Sequence, residues 1–140
     1  MKALSLLQPW ASLVALKHKA VETRSWSTSY RGPLAIHASA RMKPEERAFA
    51  ATERAFGRLP ARIPLGMVVA TCRLVDVRRT DDARFDVSGL ERHLGNFGPG
   101  RFAWFLADVE ALAEPIPAKG SLGLWEWSRP AATGEGEGKR

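Results

Sequence analysis

Apolar positions recur every second residue in some segments and every third or fourth in others, and the changes of period mark the elements. In "KALSLL", Leu4 and Leu6 fall on one side, as in a short strand. "QPWASLVALK" follows, with Pro9 suited to a first helical turn and Trp10, Leu13, Val14 and Lys17 along one side, so a short helix should end near Lys17–His18. "AVETRSW" alternates: Val21, Thr23 and Ser25 face one way, Glu22, Arg24 and Trp26 the other. "GPLAIHA" is another strand, entered through the turn residues Gly32 and Pro33. "KPEERAFAATERAFG" has Pro44 and acidic residues at its start and Gly57 as terminator, which predicts a helix with Ala48, Phe49, Thr52, Ala55 and Phe56 buried.

"LGMVVATCRLVDVRR" reads as a long central strand and "DVSGLERHLG" as a short helix between loops. "RFAWFLADVEAL" and "SLGLWEWS" are aromatic-rich strands separated by the turn-forming "EPIPAKG", with Trp104 and Trp125 in the core. From Arg129 the chain is rich in glycine and charge, which predicts one folded domain over residues 1–128 and a disordered tail over 129–140. Five or six strands joined by turns, with two or three helices, predict an α+β domain built on a small β-barrel.

Composition narrows the setting. The chain is 45% hydrophobic and 26% charged, an ordinary globular balance. The single cysteine, Cys72, rules out an internal disulfide framework and points to a reducing cytoplasm. The apolar start is broken by Gln8 and Pro9, so neither a membrane span nor a signal peptide is expected. Net charge is +6, and its placement is uneven: residues 1–43 carry seven Lys and Arg against Glu22 alone, while the rest of the chain is balanced. Such an asymmetry favours an anionic partner, most often nucleic acid.

The excess converges on "KHKAVETRSW", where Lys17, His18, Lys19, Glu22 and Arg24 precede Trp26. Lys19 is read as a solvated cation at the start of a strand whose removal would cost the fold little, and its cationic neighbours disfavour its protonation. Glu22 and Arg24 share a face, either as a structural ion pair or with Arg24 gripping a phosphate while Glu22 orients it. Trp26, Tyr30 and Arg31 interleave rings with cations, a composition suited to unstacked bases. "GNFGPGR" leads into a strand and reads as a flexible rim with Arg101 at its edge. His18, His37 and His93 lack a second ligand at metal-binding spacing, so no metal site is predicted and His37 is taken as a hydrogen-bonded strand residue. No nucleophile elbow or nucleotide fingerprint is present, and no cofactor is expected.

Five phrases in order, "SLLQPWASLVALKHKAVETRSW", "YRGPLAIHAS", "GMVVATCRLVDV", "GRFAWFLADV" and "PIPAKGSLGLWEW", resemble the activating-signal-cointegrator homology (ASCH) domain from about Leu4 to Trp127. The resemblance implies a PUA-like β-barrel with two or three flanking helices, a cleft beside it, and RNA binding. Its signature, Gly-x-Lys-x-x-Glu-x-Arg, maps onto Lys19, Glu22 and Arg24, with Lys17 standing where glycine is expected. The function implied is recognition of RNA or a nucleotide-like ligand by Lys17, Lys19, Arg24, Trp26, Tyr30, Arg31 and Arg101. Some members are metal-independent amidohydrolases acting on N4-acetylcytidine, for which Lys19 and Glu22 would be the catalytic pair. Those members carry threonine at the position of Glu22, which weighs against that activity. A ribonuclease is the third reading, and it lacks the paired histidines that commonly cleave RNA.

Overall fold

The pattern of alternation becomes one mixed sheet in the computed structural model, which describes residues 1–82 and 84–131. The elements run β1 (Lys2–Leu6), α1 (Trp10–Ala15), β2 (Val21–Arg24), β3 (Gly32–Ala38), α2 (Pro44–Ala55), β4 (Met67–Arg79), α3 (Gly89–His93), β5 (Phe102–Pro117) and β6 (Leu124–Glu126). Strand order is β2-β5-β4-β3-β1-β6. Only β1 and β3 are parallel, with Leu4 opposite Ile36, and α1 and β2 form the crossover that a parallel pair requires.

Register shifts interrupt β3–β4 once and β4–β5 three times. Bulges of this kind bend a strand and raise its twist, and they curl the sheet into a half-barrel. The barrel is not closed by strand pairing, since β2 and β6 are the two edges. A side chain spans the gap instead: Arg24 of β2 donates from Nη2 to the Ser5 carbonyl of β1 at 2.7 Å, although three strands separate them in the sheet.

The core follows from strand alternation. Leu4, Leu6, Leu34, Ile36 and Trp104 pack with Ala11 and Val14 of α1 on one side, whereas Ala3, Ala35, Val68 and Trp127 form a second cluster. A third cluster, Leu13, Ala50, Leu59 and Leu94, ties α1 and α2 to Leu94, the residue that caps α3.

Three expectations need correction. The buried residues of α2 are Glu46, Ala50 and Glu53, while Ala48, Thr52, Ala55 and Phe56 are exposed and Phe49 is half-buried. Two carboxylates occupy the inward positions because each has a partner there: Glu46 accepts from the Lys43 amide at 2.7 Å and Glu53 from Arg58 Nε at 2.5 Å. "EPIP" is not a turn, since β5 continues to Pro117. Residues 112–115 lie between the paired Ala111 and Ile116 in an enlarged bulge, where a proline costs no ladder hydrogen bond. The following strand, β6, then pairs with β1 at the far edge. Trp125 is only half-buried, and Trp127, just past the end of β6, is the enclosed indole. The tail assigned to residues 129–140 lies outside the described residues from 132 onward.

Candidate functional site

The site begins where α1 stops. The Lys17 amide bonds to the Val14 carbonyl and the His18 amide to the Leu13 carbonyl, both at 2.9 Å, the paired bonds of a Schellman ending. Lys17 has φ +67°, so this lysine takes the left-handed conformation that a glycine adopts without strain. The reversal carries the chain inward, and Lys19 is 1% exposed. Its ammonium donates to the Val21 carbonyl at 2.5 Å and lies 3.9 Å from Glu22 and 5.9 Å from the centre of the Phe97 ring.

Lys19 is therefore a buried cation, which corrects the expectation of a solvated one. Burial pushes its pKa below the ordinary lysine value, and the charges of Glu22 and Glu91 oppose that shift. Gly95 makes room for it: a Cβ there would fall 3.0 Å from Lys19 Nζ and 2.8 Å from the Phe97 ring. Glu91 reaches the same neighbourhood, accepting the Ala20 amide through Oε1, while its buried Oε2 has no partner among the described residues.

β2 is an edge strand, and its outward carbonyls must find donors. The Leu106 amide bonds to the Ala20 carbonyl, so Ala20, Glu22 and Arg24 turn their backbone groups toward β5 and the intervening residues turn theirs away. Lys19 Nζ takes the Val21 carbonyl and Arg101 Nη2 takes that of Thr23 at 3.1 Å. Arg101 is further held through Nε by the Asn96 carbonyl. Glu22 pairs with Arg24 at 3.2 Å, and Arg24 Nε is buried with no acceptor among the described residues.

Of these groups Lys19, Glu22, Thr23, Arg24, Asn96 and Arg101 line a cavity of about 570 Å³. Its charged lining consists of Lys19, Arg24 and Arg101 against Glu22, with His93 beside them. Trp26 also lines it, packed edge-on against Trp104 with ring centres 4.8 Å apart. Behind the site Ser5 meets His37, whose Nδ1 lies 2.9 Å from Ser5 Oγ and whose Nε2 lies 2.8 Å from the Ala118 carbonyl. Among the described residues no group of three His, Cys, Asp or Glu side chains could hold a metal ion.

Residues 4–116 match the family model of the ASCH domain. The chain belongs to the ASCH domain family. Among solved structures it is similar to the crystal structure of ASCH from Zymomonas mobilis, with 16% identity and a TM-score of 0.49 over 83% of this chain and 72% of that one. No curated protein sequence matches it.

Of the candidates read from the sequence, this ASCH domain brings Lys19, Glu22, Arg24, Trp26 and Arg101 to one cavity. Lys17, Tyr30 and Arg31 are not part of its lining. Lys17 is exposed at the turn, Tyr30 donates its hydroxyl to the Pro33 carbonyl, and Arg31 binds the carbonyls of Thr28 and Tyr30. Sequence reasoning missed Ser5, Trp10, Phe49, His93 and Asn96, which arrive from five separate segments. The sequence pattern marks Trp10 and Phe49 only as residues of the apolar faces of their helices.

Proposed function

We propose that this ASCH domain binds RNA or a nucleotide-like ligand in the cavity beside β2, with Lys19, Arg24 and Arg101 meeting phosphate and Glu22 ordering them. The observation that carries the reading is Arg24. Its Nη2 is held by Ser5 and Glu22, its Nε is buried with no acceptor among the described residues, and its side chain lines a cavity where three cations face one carboxylate. Three cations around one carboxylate leave the cavity with excess positive charge, which a phosphate offsets through charge-assisted bonds. A reducing cytoplasm is the setting proposed from the lone buried thiol of Cys72. Among the described residues no helix is long and apolar enough to cross a membrane.

Titration with short single-stranded RNA at increasing salt tests the reading. Affinity should fall steeply as salt rises, and Arg24→Ala should weaken binding and flatten that slope. Salt-independent affinity, or no binding at low salt, overturns it.

A second reading has one observation in its favour. The burial-lowered pKa of Lys19 suits a general base or nucleophile in a metal-independent amidohydrolase acting on an acylated cytidine. Release of cytidine from N4-acetylcytidine, lost in Lys19→Ala and retained after chelation, would establish it in place of a pure binder.

A further inference from the structure

The cavity that holds Lys19, Arg24 and Arg101 has a second stretch of lining made of rings. Trp10, the first residue of α1, stacks on Phe49 of α2 with centres 5.4 Å apart and planes 15° apart. Phe49 in turn meets the His93 imidazole at 5.6 Å, tilted by 44°. Trp10 and Phe49 pack from one side against the cluster of Leu13, Ala50, Leu59 and Leu94 and are left half-buried at the cavity.

His93 is held in a fixed orientation. Its Nε2 lies 2.7 Å from Glu53 Oε2, and Glu53 is wholly buried and also bound by Arg58 Nε at 2.5 Å. Glu53 follows Phe49 by one helical turn, so one face of α2 presents a ring to the cavity and anchors the imidazole beside it. An ionised carboxylate is costly to bury unless paired, and here both partners fix its position. His93 Nδ1 makes no hydrogen bond to the described residues, which leaves it free for a ligand.

We infer that Trp10, Phe49 and His93 form a nucleobase subsite: an unpaired base lies on the Trp10–Phe49 surface, its edge meets His93 Nδ1, and its phosphate reaches Arg24 and Arg101. This rests on the nucleotide-binding reading above and narrows it to ligands with an unstacked base, whether a free mononucleotide or a single-stranded RNA. A cavity of about 570 Å³ falls within the range of roughly 300–1,000 Å³ common for small-molecule sites. Bases in a duplex are stacked on their neighbours and cannot reach these rings.

Calorimetric titration of the full chain with a nucleoside 5′-monophosphate, ribose 5-phosphate, a short single-stranded RNA and a blunt RNA duplex tests the inference. The monophosphate should bind about tenfold more tightly than ribose 5-phosphate, and Phe49→Leu should abolish most of that difference, as expected from the contribution of one stacked base. Equal affinity for the two small ligands overturns the subsite and leaves the phosphate-binding reading standing. Failure of all four to bind overturns both. Tighter binding of the RNA than of the monophosphate identifies the source as single-stranded RNA, and the reverse identifies a free nucleotide. Should Phe49→Leu fail to fold, tryptophan fluorescence of the unaltered protein serves instead. The monophosphate should quench it and ribose 5-phosphate should not, and quenching that persists fully in Trp10→Phe counts against the subsite.

Discussion

Replacing Lys19 by alanine separates a buried cation from a surface one. The substitution removes three methylenes from an enclosed position, worth about 2 kcal/mol at roughly 0.8 kcal/mol each. It also deprives the Val21 carbonyl of its 2.5 Å donor, a loss of about 1–3 kcal/mol where no water replaces it. The cavity admits water, so the lower end of that range applies. Glu22 keeps Arg24 at 3.2 Å, and the 3.9 Å contact with Lys19 adds little to what is lost. Against these terms, the desolvation cost of the ammonium disappears with it. The net expectation is a destabilisation of about 2 kcal/mol, against about ±0.5 kcal/mol for a surface lysine.

The pH dependence has a definite sign. Burial lowers the Lys19 pKa from its ordinary 10.5, so the folded protein binds this proton less tightly than the unfolded chain does. The cost of the buried charge is complete below the folded pKa and vanishes as pH rises to 10.5. Stability of the unaltered protein therefore gains from this group on the alkaline side, and Lys19→Ala lacks that gain. Urea denaturation of both proteins from neutral pH to about 10.5 should show a gap that widens with pH. A gap under about 0.5 kcal/mol, or one that does not change with pH, refutes the buried-cation argument.

Lys17→Gly should raise stability by about 1 kcal/mol, because glycine takes the left-handed turn without the strain borne by a side chain, offset in part by its greater unfolded freedom. Thermal denaturation checks it, and a lowered midpoint would show that Lys17 is held in place by contacts stronger than that strain. Glu53→Gln should flatten the acid limb of the stability profile. Burial pushes the Glu53 carboxyl up, but hydrogen bonds from Arg58 and His93 outweigh it and hold its pKa below the usual value, so its contribution is present above about pH 4.5 and is lost as pH falls through the lowered pKa. Melting temperatures measured across that window should fall less steeply for the variant, and parallel profiles would count against the carboxylate's role.

The strands could be read from the sequence because their signal is local. Alternation in "KALSLL", "AVETRSW" and "GPLAIHA" marks β1, β2 and β3 to within two residues at each end. Features set by pairing at a distance could not be read this way. The inward face of α2 carries Glu53, which looks like a solvent-facing residue until His93, forty positions on, is brought to it. "EPIPAKG" has turn composition, yet a bulge in the β4–β5 ladder accommodates Pro115. At the site, Lys19, Glu22 and Arg24 were found through a compact motif, whereas Trp10, Phe49 and His93 converge only because the cluster around Leu13 packs three helical segments together.

The two tasks of the cationic side chains follow from the open half-barrel. Among the described residues no strand pairs with β2 on its outer side, so its outward carbonyls would be exposed to pairing with another strand or left unmet. Lys19 and Arg101 occupy those carbonyls, which places two positive charges along the edge that walls the cavity. Closing the edge and charging the cavity are thus one structural act, and substituting either residue perturbs fold and ligand together. Arg24 carries the same two tasks: its guanidinium reaches across to Ser5 of β1 and pairs with Glu22, while its Nε finds no acceptor among the described residues. Arg24→Ala should therefore lose RNA binding and also destabilise the fold, by about 1–3 kcal/mol where the Ser5 carbonyl and Glu22 are left unmet, and urea denaturation showing no loss of stability would refute the closing role of this side chain.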